Sequence, residues 1–513
     1  MKGLTTFIFY WFIVMFASRA ALAQNNPELH FGESFELADG AMSSIMTKDN
    51  DFYYGLRVSD DGFFGFDDDA KCSILLFDHG LKLTGEIFVV DSSLQKLKNL
   101  KPLSFYKTTA GFVLLCSRYS SQNHAISSYL LQIDNSGKVE KVLNPATVEH
   151  ISKTDIEFDF FQLDEMQPDS GRQFVFSVKA PSSLDISEKV DFNIYDEKLD
   201  LKGNRLLDYP DDVVSYNIIE IIAGENGLFY IRVEIFNPYK PEDLIHQLVV
   251  YDINKDDFNA FEFKFEGAIV KKSGLFKAEK NVVGLSGYFV KDSYSEEPEG
   301  IFYYLFDSQK GNMLKQKIHY FSSVEKDLIY ASQKALKSDF KNLISSAIHI
   351  TAHNNIILLF EYNWKSIMLI RDMEGMIYDR PYYYANEILL FQFDANNQFY
   401  NSMVIPKKQA LGAGPEALGF CGFLSGNKFF VVYNDHPKNR NQHEAGDLKT
   451  MKGKHEMMLG AYDIVSKEFS KELFGKTNKI SGFKPQEIIR ANDSSLLFFD
   501  KSEDTRLIEI KLD

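Results

Sequence analysis

Short apolar runs separated by turn residues dominate the chain. One kind ends in Asp: SILLFD (73–78), YLLQID (129–134), DFNIYD (191–196), QLVVYD (247–252), FYYLFD (302–307), LLFQFD (389–394), MLGAYD (458–463) and IEIKLD (508–513). These Asp residues lie 50 to 87 positions apart. A second kind precedes each copy and is apolar almost throughout. Examples are GFVLLCSRY from Gly111, GLFYIRVEIF from Gly227, NIILLFEY from Asn355, NKFFVVY from Asn427 and SLLFFD from Ser495; others start at Phe52, Phe174 and Val282. Continuous runs rich in β-branched and aromatic residues predict strands buried on both faces. Turn pairs such as Asn354-Asn355 and Gly426-Asn427 suit a tight hairpin leading into them.

After each Asp comes a turn and one more strand. Asn135-Ser136-Gly137 leads to KVEKVL, Gln309-Lys310-Gly311 to NMLKQKI, and Asn396-Asn397 to QFYNSMVI. An Asp carboxylate accepts from backbone N–H groups two residues on and starts such a turn, so the repeated Asp residues are expected to be structural. Each unit is about four strands in roughly 60 residues, repeated eight times. Four-stranded units in tandem are the signature of a propeller blade. The predicted fold is all-β, an eight-bladed β-propeller with one short helical insertion; a seven-bladed ring is the alternative. The eighth unit stops at its third strand, because the sequence ends at Asp513. The stretch 28–37 (ELHFGESFEL) is expected to supply the missing outer strand and remove the open edge.

The units resemble the large superfamily of extracytoplasmic β-propellers, whose third strand ends in Tyr-Asp or Phe-Asp before a Gly/Asn turn. That resemblance implies a fold and no activity. The abundance of Lys, Asn, Phe and Ile is also similar to that of secreted proteins of AT-rich Gram-negative bacteria such as Bacteroidetes.

Four insertions break the repeat, at 320–344, 364–386, 407–419 and 434–456. From the start of the second strand to the repeat Asp there are 38 residues in unit six and 34 in unit seven, against 17 to 26 in the others measured. Apolar residues at helical spacing over 324–343, with Ser322 and Glu325 as a capping box, predict a helix there. Loops joining strands two and three leave the ring on the same rim as the loops joining blades. The four insertions are therefore expected on one rim over blades five to seven.

The segment 1–23 reads as a secretory signal peptide. Lys2 opens it, an apolar run over 4–16 follows, and Ala21-Leu22-Ala23 offers a cleavage site. This leaves 24–513 as one propeller domain in a periplasmic or secreted protein, with no membrane span after cleavage. Net charge is −16, and −18 once Lys2 and Arg19 are removed. An acidic surface repels phosphate backbones and argues against nucleic acid as a partner. Cys72, Cys116 and Cys421 allow at most one disulfide. Trp364 is the one Trp outside the signal, so a groove lined by several indoles is excluded.

Catalytic signatures are missing: Gly284-Leu285-Ser286-Gly287 has the wrong spacing for a nucleophile elbow, and His455-Glu456 lacks a second His one turn on. Asp60-Asp61-Gly62 with Asp67-Asp68-Asp69, and the run 252–257, carry oxygens but not the positions a calcium loop needs. They read as solvated turns, and no metal or cofactor is expected. His349 and His353, four apart beside a predicted inner strand, would share a face there. The candidate binding residues lie in the insertions: Trp364, Tyr378, Arg380, Tyr382, Tyr383, Tyr384, His436, Arg440 and His443. Aromatic and Arg side chains are enriched at binding hot spots, and 437–454 carries five Lys/Arg against two acidic residues. The expected function is a non-catalytic binding or scaffolding protein for a protein or an envelope or extracellular polymer. The alternative is a propeller hydrolase or lyase acting on an extracellular polymer.

Overall fold

The computed structural model describes residues 27–35, 41–58, 72–89, 100–149, 160–166, 172–179, 189–207, 216–237, 240–263, 265, 267–279, 281–336, 339–371, 376–412, 415, 417–442, 445–452, 455–474, 483–492, 495–500 and 505–511. The signal segment, Leu37, His443 and the acidic stretch at 60–69 lie outside the described residues. Eight antiparallel sheets follow one another along the chain: 41–88, 101–148, 161–207, 216–263, 269–320, 343–411, 420–473, and 489–511 joined by Glu28–Phe31. Each has four strands in sequential order. The second and sixth sheets add a short fifth strand, Thr147–Val148 and Gln409–Leu411.

The second strand of each blade explains why the sequence shows no alternation. Ile356, Leu358, Phe360 and Tyr362 pack against blade five, whereas Ile357 and Leu359 pack against blade seven. A strand caught between two neighbouring blades has no solvent face, so both of its sides are apolar. Eight core clusters occupy the eight junctions, including one between blades eight and one that holds Leu497, Phe499 and Leu507 against Tyr53, Leu75 and Phe77. The ring is thus a closed, eight-bladed β-propeller. Outer strands alternate as one-sided strands do, as in Leu83–Phe88 and Met313–Tyr320.

Closure follows the expected scheme. Glu28–Phe31 pairs antiparallel with Arg506–Lys511, from Glu28 opposite Lys511 to Phe31 opposite Ile508. Gly32 N–H donates to the Leu507 carbonyl and Phe35 N–H to that of Thr505, both at 2.9 Å. The repeated Asp residues are turn-makers. Oδ1 of Asp134, Asp196, Asp252, Asp307, Asp394 and Asp463 each accepts from at least two backbone N–H groups of the turn that follows. In the Asp252 turn, Lys255 also pairs with the carboxylate at 2.7 Å. The hairpins into the second strands are tight, with Asn354 at φ 59° and Gly426 at φ 56°.

The helix is Ser323–Leu336, seven residues shorter at its end than the periodicity predicted. Its capping box forms: Ser322 N–H and Oγ–H donate to Glu325 Oε2 at 2.9 and 2.7 Å. Asp339 then caps a separate turn, Phe340–Asn342, and Leu343 opens blade six. Phe340 and Leu343 keep the helical spacing because both reach the blade five–six core, not because they are helical. No described helix is long and apolar enough to cross a membrane.

Candidate functional site

The four insertions meet on one rim. The unit-six insertion is a β-arm rather than a loop: the second and third strands run on as Ile356–Arg371 and Ile377–Phe393, with Trp364 opposite Tyr384 and Arg371 opposite Ile377. A register shift between Glu361 and Asn363 marks where the arm leaves the blade. From 407–419, Gln409–Leu411 pairs with the arm's base at Tyr383–Ala385 and bridges Met451 of the unit-seven insertion. Ala385, Leu418 and Met451 form a small buried cluster, with Tyr383 and Leu411 against it. The helix packs against blade six and against Ala445–Asp447. On the opposite rim, turns such as 224–227 and 426–427 are tight.

Beneath the rim lies a buried polar hub. Lys407, Gln409, Asn434, Asp435 and Asn439 are fully buried, and Glu361 is nearly so. Lys407 Nζ donates to Glu361 Oε1 at 2.6 Å, to Gln409 Oε1 at 3.0 Å and to the Ala385 carbonyl at 3.1 Å. Burial pushes its ammonium below the ordinary lysine value. Gln409 Nε2 donates to the Asn434 carbonyl at 2.6 Å. Asn439 staples the unit-seven insertion, donating to Asp435 and Lys449 and accepting from Lys449 N–H at 2.8 Å. Burial raises the Asp435 carboxyl above its usual range, although Asn439, Lys471 and the His436 N–H favour its charged form. Lys407, Gln409 and Asn439 tie the insertions to the ring, and the buried groups they engage are costly to leave unpaired.

The sequence-predicted residues fall into this framework. Trp364 stacks on Tyr384, centroids 4.5 Å apart and planes 3° from parallel. Tyr382 shares their side of the arm, because side chains alternate along a strand. Arg380 Nε donates to the Gly412 carbonyl at 3.2 Å. Tyr378 lies opposite Ile370 in the register. Tyr383 faces the other way, beneath the Lys365 ammonium. His436 caps a short turn, its Nδ1 accepting from Lys438 N–H at 3.0 Å. Arg440 pairs with Glu456 at 3.0 Å. The Arg380 contact joins two insertions, and the others brace single insertions from within.

His353 sits in the turn after the inner strand of blade six, so it does not share a strand face with His349. The three cysteines are free; Cys72 and Cys116 are buried in one cluster. No cluster of three or more His, Cys, Asp or Glu suited to a metal occurs among the described residues. The outer arm carries residues that the sequence reading passed over. Ile367 (66%), Met368 (45%), Leu369 (74%) and Met376 (66%) are exposed. Their signal was present as the run Ile367-Met368-Leu369-Ile370, four apolar residues with no buried partner sequence beside them.

No protein-family model matches the chain, and no curated protein matches it. Among solved structures it is similar to the WD40 domain of SCAP from fission yeast, at 8% identity over 95% of this chain and 98% of that one, TM-score 0.39. It is also similar to the β-propeller domain of the Trilobed protease from Pyrococcus furiosus, at 9% identity over 86% and 97%, TM-score 0.33. An endo-arabinase from Bacteroides thetaiotaomicron matches at 9% identity over 57% and 89%, TM-score 0.22. Likeness at this level says nothing of activity. What the chain is shown to be is an eight-bladed β-propeller whose insertions gather on one rim.

Proposed function

We propose that this chain is an exported, non-catalytic binding propeller of the extracytoplasmic kind, cut after Ala23. It engages a protein or an envelope or extracellular polymer through the rim of blades five to seven. The observation that carries this reading is the outer arm, where four large apolar side chains stand in solvent beyond a stacked Trp–Tyr base. Each would gain about 1.5–3 kcal/mol on full burial against a partner. A hydrogen-bonded two-stranded support presents them at a lower ordering cost than an unpaired loop would.

The test replaces 366–381 by an Asn-Gly turn. The shortened protein is expected to melt with the wild type, because the ring's core lies inside the removed segment's base. It should lose capture of the envelope component that wild-type protein retains, and wild-type exported material should begin at Gln24 by intact mass. Unchanged capture by the shortened protein would refute the rim reading, and an uncut N-terminus would refute export.

A further inference from the structure

An open cavity of about 380 Å³ lies between the inner strands of blades six and seven, Leu343–Ile350 and Phe420–Ser425, away from the arm's apolar end. That size is within the usual range of small-molecule sites, about 300–1,000 Å³. Its walls mix a half-buried aromatic ring, Phe420, with polar groups whose hydrogen-bonding capacity is only partly used.

His349 packs its ring on Phe429, centroids 5.0 Å apart, and its Nε2 is buried with no hydrogen-bond partner. A buried polar atom without a partner is costly unless something fills the space before it. Gly422 lets the facing strand pack closely on this ring: a Cβ there would come within 3.2 Å of the His349 nitrogen and 2.7 Å of the Phe429 ring. Glu361 lines the same cavity. Its Oε1 is taken by Lys407, while Oε2 accepts from Asn363 Nδ2 at 3.1 Å and retains a second lone pair. The far wall is braced, since Gly419 N–H donates to Gln409 Oε1 at 2.9 Å.

The charges cancel. Lys407 balances Glu361. Burial, with the Arg490 guanidinium nearby, pushes the His349 imidazole down to about 4, so the ring is neutral at pH 7 and each nitrogen is either donor or acceptor. A carboxylate or an ammonium ligand would meet no free counter-charge in these walls, whereas a neutral ligand rich in both donors and acceptors would meet partners for each.

We propose that this cavity binds a neutral, hydroxyl-rich molecule of monosaccharide size, its hydroxyls held by His349, Glu361 and Asn363 and its C–H face laid on Phe420. This is a compact polar pocket, not a groove lined by indoles; Trp364 lies outside it, on the arm. The site is independent of the rim's apolar arm.

Saturation-transfer NMR with glucose, galactose, mannose and myo-inositol, against glucuronate and glucosamine as charged counterparts, tests it. At least one neutral probe should bind at concentrations up to about 10 mM, with weaker or no binding of the charged pair. His349→Ala and Asn363→Leu should each weaken that binding about tenfold or more. Asn363 is only half-buried, so Asn363→Leu keeps the test alive if His349→Ala fails to fold. The protein lacking 366–381 should bind as the wild type does. Silence from every neutral probe, equal binding of the charged ones, or wild-type binding by both variants would each overturn the assignment.

Discussion

Lys407 and Glu361 form an ion pair with almost no access to water. Such a pair adds little net stability compared with an apolar pair, yet breaking it strands a charge in the interior. Lys407→Met is therefore expected to cost about 3–5 kcal/mol in denaturant unfolding. The double change Lys407→Met with Glu361→Leu should recover most of that loss. If the single variant unfolds with the wild type, the pair does not anchor the 407–419 insertion. Residue type alone did not reveal this role. Arg380, Arg440 and His436 were picked out because Arg and aromatic rings can serve as binding anchors. Their polar atoms meet Gly412, Glu456 and Lys438 within the insertions. A side chain's type states which bonds it can make; only the fold states which partner is within reach.

Among the elements, the N-terminal strand has the largest consequence for its length. Four residues, Glu28–Phe31, cover the outer edge of Arg506–Lys511. Without them the last blade presents a row of open N–H and C=O groups, and Leu29 leaves the blade seven–eight core. Deleting 28–35 should lower the melting temperature well below that of a variant trimmed by eight residues in the outer arm. Equal melting of the two would refute closure by this strand. Its role was legible from counting, because the eighth unit lacked one strand and one stretch lacked a partner. The helix boundary was less legible. Phe340 and Leu343 fall on the apolar spacing of the helix before them, although the Asp339 cap had already redirected the chain.

At the scale of the whole molecule, burial favours the neutral form of two described histidines, His246 and His349. Burial, aided by Arg232, pushes His246 down to about 4, even with the Glu234 carboxylate 3.6 Å from its Nδ1. Burial and Arg490 do the same for His349. The unfolded chain takes up these protons below pH 6.5, whereas the folded ring resists them until about 4. Their contribution to stability is thus complete above pH 6.5 and is lost as pH falls toward 4, at up to about 1.4 kcal/mol per pH unit for each. Unfolding free energies measured across that window should fall less steeply for the variant carrying His246→Gln and His349→Gln. An unchanged slope would mean that both are protonated in the fold. The ring gives this loss a global character, since every blade is packed against two others.

The sequence by itself determined the blade and the seam and favoured eight blades over seven; the eight sheets of the structure decided the number. Strand period, the Asp that starts each turn and the length of each unit are local properties, set by side chains within a few residues of one another. It also placed the insertions on one rim, because alternating strand direction follows from connectivity. Only the tertiary structure decided what the insertions do there. The hub around Lys407 and the cavity beside His349 join residues tens of positions apart from two blades. Such contacts follow from the angle and distance at which neighbouring sheets pack, which no local pattern along the chain encodes.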